Sequence, residues 1–349
     1  MIVIMEIGAT EQQTQDVINA IHEAGLRSFV NPGVERKVIA CLGVVDAEKA
    51  IFRDRFASMP GVERVELISE PYKLASRHAH PDPTIVKVGG TLPGATPAEI
   101  GGTQLAMIAG PCSVESREQT IETALAVKAA GANLLRGGAF KPRSSPYSFQ
   151  GLGHRGLEIL AEAREVTGLP VVTEVMEPQD VRTVSGYADM LQIGARNMQN
   201  YPLLKRAGKS DLPLLLKRGP GCKVRDLLMA CEYVMLEGNR SVVLCERGIT
   251  TFEDSTRYTS DINAVPVIKH FSHLPVIFDP SHATGDSRYV AALAKAAIAA
   301  GADGLMIEVH PRPQEALSDG PQALVPDRFK TLMGELHLLS AALGRKMPS

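Results

Sequence analysis

Apolar positions along the chain follow two regimes that change near residue 104. Over residues 1–70, short apolar runs alternate with amphipathic stretches. Residues 2–7 read as a strand. Residues 11–23 form a helix pattern, with Val17, Ile18 and Ile21 on one face and Gly25 past its end. Strands are expected at 26–30 and 37–42, around the turn signal Asn31-Pro32-Gly33. Asp46 is placed to cap a helix reaching about Ser58, with Ile51 and Phe52 facing inward. Pro60-Gly61 then turns the chain into 62–68, which alternates as a half-buried strand does. The order β-α-β-β-α-β predicts a small ferredoxin-like α+β domain over residues 1–70.

Residues 71–103 are rich in Pro and Gly and read as a linker. Their second half holds an apolar hairpin suited to cap the bottom of the following domain. The histidines of 78–82 read as polar linker residues rather than ligands. From residue 104 to about 345 a different pattern repeats eight times. Short, continuously apolar strands are expected at 105–110, 133–138, 170–175, 190–195, 213–218, 241–246, 275–280 and 304–309. Such runs suit parallel strands buried on both faces. Helical stretches separate them, at 116–130, 154–167, 178–186, 200–209, 223–237, 262–272, 287–300 and from 326 onward. Eight β-α units predict a (β/α)8 TIM barrel. An open doubly wound sheet fits less well, because no Gly-x-Gly-x-x-Gly opens a first β-α turn.

Composition narrows the function. The 349 residues are 44% hydrophobic and 22% charged, with a formal net charge of −2. That balance argues against a general nucleic-acid binder. No apolar run is long enough to span a membrane, and the N-terminus lacks a secretory signal pattern. Five cysteines without a paired framework fit a reduced, cytoplasmic setting.

In a (β/α)8 barrel, the strand C-terminal ends converge on one face, where the chemistry sits. The second strand end runs into the loop 134–147, which carries Arg136, Lys141 and Arg143, followed by Ser144 and Ser145 bracketed by Pro142 and Pro146. Arg196, Lys217 and Arg247 stand at the ends of strands 4, 5 and 6, and Glu174 at the end of strand 3. Six cations at one mouth call for substrates carrying more than one phosphate or carboxylate. Cys112, His282, Glu308 and Asp319 come from strands 1, 7 and 8 and the loop after 8, which are contiguous across the barrel seam. A thiol, an imidazole and two carboxylates make a site for a divalent transition metal, without selecting among Mn, Fe, Co and Zn. Individually, Cys112 also reads as a small buried hydrophobe and Glu308 as an arginine partner.

These segments are similar to a known family. GlyProCysSerValGlu (110–115), the run 135–151, GlyAlaArgAsn (194–197), LeuLysArgGly (216–219), CysGluArgGly (245–248), AspProSerHisAlaThrGly (279–285), GluValHisPro (308–311) and LeuSerAspGly (317–320) resemble 3-deoxy-D-arabino-heptulosonate 7-phosphate (DAHP) synthase, in that family's order. The N-terminal module resembles the ferredoxin-like regulatory domain of some members. The resemblance implies condensation of phosphoenolpyruvate with erythrose 4-phosphate. It implies a divalent metal, with Mn favoured, held by Cys112, His282, Glu308 and Asp319. Arg136, Lys141, Arg196, Lys217 and Arg247 would hold phosphoenolpyruvate, Arg143 and Ser144 the aldose phosphate, and Ala195 would also belong to the substrate site. Lys141, Glu174 and His282 are the expected catalytic groups.

Two departures from the family pattern stand out: the segment 220–228 after Gly219, and Tyr258, where a smaller polar residue is expected. The implied partners are the two substrates, a Tyr or Phe effector at the N-terminal domain, and further copies of the chain in a dimer or tetramer. Competing readings are 3-deoxy-D-manno-octulosonate 8-phosphate synthesis, which takes arabinose 5-phosphate, and a non-catalytic phosphometabolite sensor.

Overall fold

A computed structural model describes residues 1–31, 36–45, 48–67, 71–90, 97–143 and 145–348. Two compact units divide it: Met1–Pro83 together with His270–His273, and Thr84–Lys269 together with Leu274–Ser349. The first boundary falls within the segment read as a linker.

In the first unit the elements run β1 (Ile2–Met5), α1 (Glu11–Glu23), β2 (Arg27–Asn31), β3 (Val38–Leu42), α2 (Lys49–Ala57) and β4 (Val62–Glu66). The strands form one antiparallel sheet in the order β2-β3-β1-β4. This is the split β-α-β-β-α-β arrangement expected from the pattern. Thr10 and Gln13 close a capping box at the start of α1, satisfying donors that the first turn leaves free. Val17 and Ile21 then face the core.

The cap expected of Asp46 and the turn expected at Pro32-Gly33 lie outside the described residues. In α2 the expected inward pair is corrected. Ile51 is exposed, whereas Phe56 is fully buried and Phe52 packs against the same core. Residues four apart share a helix face, so Phe52 and Phe56 point together and Ile51 turns away. His80 stacks on His273 at 4.4 Å between ring centroids.

The second unit begins with the hairpin β5 (Val86–Val88) and β6 (Ala98–Ile100). Eight parallel strands follow: β7 (Ala106–Gly110), β8 (Leu134–Arg136), β9 (Val171–Glu174), β10 (Met190–Ile193), β11 (Leu214–Lys217), β12 (Val242–Glu246), β13 (Val276–Phe278) and β14 (Gly304–Glu308). They close into a barrel in which β14 pairs with β7. The helices are α3 (Arg117–Ala129), α4 (His154–Thr167), α5 (Val181–Ser185), α6 (Tyr201–Gly208), α7 (Val224–Met235), α8 (Ala264–Phe271), α9 (Pro280–Thr284), α10 (Ser287–Ala299) and α11 (Pro326–Ala342).

The short α9 was not among the expected helices. Its local signals are nonetheless clear: Asp279 caps it by accepting from the His282 amide, Pro280 opens it, and Gly285 ends it at φ +68°. Among the described residues, no helix is long and apolar enough to cross a membrane.

The hairpin contributes Val86, Val88, Ala98 and Ile100 to one buried cluster with Ala106, Ile108, Leu134, Val172, Leu215, Val243, Ile277 and Met306 from inside the barrel. It therefore plugs the barrel interior, leaving the opposite end for charged groups. At that end, a Cβ on Gly110 would lie 2.1 Å from the Arg136 carbonyl oxygen. Only glycine lets β7 and β8 approach this closely where they deliver Cys112 and Arg136.

Ile100→Ala, at a fully buried position, is expected to destabilise the barrel by about 2–5 kcal/mol through lost burial and a residual cavity. Urea unfolding followed by circular dichroism measures it, with a midpoint lowered relative to the parent.

Candidate active site and metal centre

The mouth of the barrel encloses a cavity of about 410 Å³. Arg136, Lys141, Arg143, Glu174, Ala195, Arg196, Lys217, Arg247, His282 and Asp319 all line it. The expected substrate and catalytic residues thus share one cavity, except Ser144, which lies outside the described residues. Cys112 and Glu308 sit beneath it, buried.

Glu308 is fully buried at the end of β14 and is contacted from three sides. Arg136 Nη1 donates to its Oε1. Gln322 Nε2 donates to its Oε2 at 2.7 Å. His282 Nε2 lies 3.2 Å from Oε1. Burial opposes the charge on Glu308, but His282, Arg136 and Lys141 together hold its pKa below the usual carboxylate range.

Asp279 is likewise fully buried, and its Oδ2 accepts from Lys217 Nζ at 2.6 Å and from His282 Nδ1 at 2.7 Å. Burial works against this carboxylate too. The neighbouring His282 and Lys217 outweigh it and hold the pKa well below the ordinary value.

Cys112, His282 and Glu308 each place a donor atom within 4.8 Å of the others. Asp319 does not join that tight trio, although its Oδ2 stands 3.1 Å from Cys112 Sγ. The trio's chemistry favours a cation. Burial is the largest influence on His282 and lowers its pKa, so the ring is neutral near pH 7. With Nδ1 donating to Asp279, Nε2 presents a lone pair to a carboxylate oxygen 3.2 Å away. Two facing lone pairs repel unless positive charge lies between them. Burial, then Glu308, push the Cys112 thiol up to about 12 against the pull of Lys141 and Arg136. A divalent cation is the agent that would turn it to thiolate.

The cations are less bare than their sequence positions imply. Arg136 and Lys217 have buried carboxylate partners. Lys141 Nζ lies 2.9 Å from Cys112 Sγ and 3.2 Å from the Cys112 carbonyl oxygen. Arg143 donates to Ser318 Oγ at 2.7 Å, and Arg196 to the Pro142 carbonyl. Arg136 Nε and Arg247 Nη1 are buried without a hydrogen-bond partner among the described residues. Unpartnered guanidinium nitrogens beside an open cavity are suited to an incoming anion. Glu174 accepts from Gln192 Nε2 at 3.1 Å, packed where a Cβ on Gly194 would come within 2.0 Å of its Oε1.

Several features that build the site were not anticipated from the sequence. Asp319 is the one non-glycine residue at positive φ among those described, at +53°. Arg257 Nη1 reaches both Asp319 Oδ1 and Gln322 Oε1 at 3.1 Å. Glu115 accepts from Ser113 Oγ at 3.1 Å and from the Leu317 amide at 3.0 Å, tying the Cys112 loop to the Asp319 loop. The Asp-Pro-Ser-His run put Asp279 three residues before His282, so its capping role was readable. Nothing local marked Arg257 or Gln322, or the reach of Glu115 to Leu317, because those partners are remote in sequence.

A parallel barrel whose mouth sets partnerless arginine nitrogens beside a buried thiol, imidazole and carboxylate defines an enzyme class. It acts on small anionic substrates, at a site suited to a divalent metal. Within that class the chain belongs to the DAHP synthetase I family, which matches residues 94–341; residues 1–70 match the DAHP synthase ferredoxin-like domain.

The phospho-2-dehydro-3-deoxyheptonate aldolase of Thermotoga maritima is 46% identical over 347 residues, covering 99% of this chain and 100% of that protein. A crystal structure of the Thermotoga maritima phospho-2-dehydro-3-deoxyheptonate aldolase (DAHP synthase) is similar with a TM-score of 0.77. It is 45% identical, covering 99% of this chain and 98% of that one. The 2-dehydro-3-deoxyphosphooctonate aldolase of Nitratidesulfovibrio vulgaris (strain DP4) is more distant: 36% identical over 251 residues, 67% of this chain and 91% of that protein.

Asp279→Asn leaves Lys217 buried without an opposing charge, and is expected to cost about 3 kcal/mol. Because the folded pKa of Asp279 is depressed, its stabilisation is complete above the unfolded value and is lost as pH falls through the folded one. Urea midpoints of parent and variant should differ steadily between about pH 5 and 8, and should begin to approach each other only as pH falls below about 4, towards the depressed folded pKa.

Proposed function

We propose that the mouth holds phosphoenolpyruvate and erythrose 4-phosphate side by side, for the family's condensation to DAHP and phosphate at the entrance of the shikimate pathway. The observation that carries this reading is the pairing of partnerless guanidinium nitrogens on Arg136 and Arg247 with the Cys112–His282–Glu308 trio at one cavity. Arg136, Lys141, Ala195, Arg196, Lys217 and Arg247 take phosphoenolpyruvate. Arg143 and Ser144 take the aldose phosphate.

Cys112, His282 and Glu308 hold a divalent metal, with Asp319 as a fourth donor; Mn is the expected ion, and Fe, Co and Zn suit the same donors. Bound there, the metal supplies Lewis acidity toward a carbonyl. In the reaction, C3 of the enol forms a bond to the aldehyde carbon. Water adds at C2, and the C2–O bond to phosphate then breaks, releasing inorganic phosphate. Lys141, beside Cys112 and the cavity, moves the proton that the new hydroxyl requires. Glu174, fixed by Gln192, orients the attacking water. His282, fixed by Asp279, stays neutral and keeps Nε2 directed at the metal position.

Five free cysteines fit a reducing cytoplasm. The ferredoxin-like domain carries feedback by tyrosine or phenylalanine, and the chain works as a dimer or tetramer. Support for regulation is the match of residues 1–70 to the DAHP synthase ferredoxin-like domain.

Phosphate release should be seen with erythrose 4-phosphate and be at least tenfold slower with arabinose 5-phosphate; turnover with the pentose alone would overturn the assignment. Chelation should abolish it and Mn restore it, while Cys112→Ala lowers metal affinity and activity by more than about 100-fold. The same assay on the full-length enzyme with an amino-acid panel tests regulation: tyrosine or phenylalanine inhibits, and indifference to both removes the effector proposal.

A further inference from the structure

Among the buried cations at and around the mouth, Lys141 donates to Cys112, whereas Arg247 is held by neither a thiol nor a carboxylate among the described residues. Arg136, Lys217 and Arg218 each pair with a buried carboxylate. Arg247 is 6% exposed and has no carboxylate partner among the described residues. Its guanidinium carbon instead lies 4.1 Å from the centroid of the Tyr258 ring. The contrast has a chemical consequence. A carboxylate occupies N–H donors and offsets the charge that an incoming phosphate needs. An aromatic face attracts the cation through its quadrupole and leaves the in-plane donors free. Arg247 Nη1 is the donor that remains without a partner.

Tyr258 is itself held firmly. Its amide donates to the Ala283 carbonyl at 2.9 Å, on the helix that carries His282. The next residue, Thr259, exchanges two backbone hydrogen bonds with Ile249, at 2.9 and 3.0 Å. Gly248 has φ +92°, and a Cβ there would fall 2.7 Å from Tyr258 Cβ, so glycine is what admits the ring's approach. On the same ring, Arg257 lies at 5.9 Å while it holds Asp319. Tyr258 lines the cavity, at the position where the family pattern leads one to expect a smaller polar side chain.

We infer that Tyr258 is a positioning residue for Arg247, holding the guanidinium by its face so that its free edge meets the phosphate of phosphoenolpyruvate. This rests on the assignment of Arg247 to that substrate. The test compares Tyr258→Phe, Tyr258→Leu, Arg247→Ala and the double variant Tyr258→Leu/Arg247→Ala in the metal-loaded, full-length enzyme. Steady-state constants are measured for both substrates, and phosphoenolpyruvate binding by calorimetry.

Tyr258→Leu should raise KM and Kd for phosphoenolpyruvate about tenfold, with a much smaller change in KM for erythrose 4-phosphate. Tyr258→Phe, which keeps the ring, should restore both constants to within about twofold of the parent. In the Arg247→Ala background, Tyr258→Leu should add almost nothing. Tyr258→Met replaces Tyr258→Leu if the latter does not fold. Equal losses in the Phe and Leu variants, equal effects on both substrates, or additive effects with Arg247→Ala would each overturn the inference. An Arg247→Ala enzyme that binds phosphoenolpyruvate as the parent does would instead remove the assignment of Arg247, and the role of Tyr258 with it.

Discussion

The mouth of this barrel is organised by one constraint: a carboxylate with no exposure to water must be compensated from within the protein. Glu308 meets it with Arg136 from β8, His282 from α9 and Gln322 from the loop after β14. Isolated, such a charge costs several kcal/mol to bury even after the surroundings relax. Each partner is therefore committed, and with it the strand or helix that delivers it. Arg136 spans to the Cys112 carbonyl at 3.1 Å, so Glu308 joins the cation set to the metal-donor set through one side chain. Of the two readings the sequence left for Glu308, the arginine partnership is present, and the same carboxylate also faces His282.

Around that centre, stability is given up in order to hold a geometry. Buried ion pairs contribute little net stability compared with packed apolar residues of similar volume. Asp319 adds backbone strain, sitting at a left-handed φ that glycine would occupy without cost. Arg257 holds its carboxylate, and Glu115 ties its loop to the loop of Cys112. The compensating cohesion lies at the other end of the barrel, where hairpin and strand residues share one apolar cluster. That division matches the general behaviour of rule-breaking local features, which concentrate at functional sites and depend on an otherwise consistent fold.

The barrel was legible because its signal is repetitive. Eight continuous apolar runs separated by helices admit few alternatives, and strand C-terminal ends then converge by topology alone. Cys112, His282 and Glu308 met for that reason, although 196 residues separate Cys112 from Glu308 in the chain. What stayed hidden was the support. Asp279 was assigned no role in the sequence beyond its place in the run 279–285, yet it anchors Lys217 and His282 at once. Arg257 sits in an exposed loop whose polar composition names no partner. Its role depends on Asp319 and Gln322, which lie 62 and 65 positions away. The error at Ile51 was of another kind: Phe52 and Phe56, four residues apart, set the buried face of the helix, and Ile51 turns away from it.

Internal compensation also separates the cations by task. Arg136 and Lys217 are fixed before any substrate arrives, because carboxylates of the fold already hold them. Preorganised charge of this kind avoids reorganisation at the moment of reaction. It is also partly neutralised, and six fully exposed positive charges at one mouth would have repelled one another. Arg247 keeps its charge uncompensated by any carboxylate among the described residues and is steadied by the face of Tyr258. A mouth built wholly of the first kind would bind anions weakly, and one built wholly of the second would be poorly ordered without them. The combination lets the mouth hold its shape while leaving unmet donors beside the cavity.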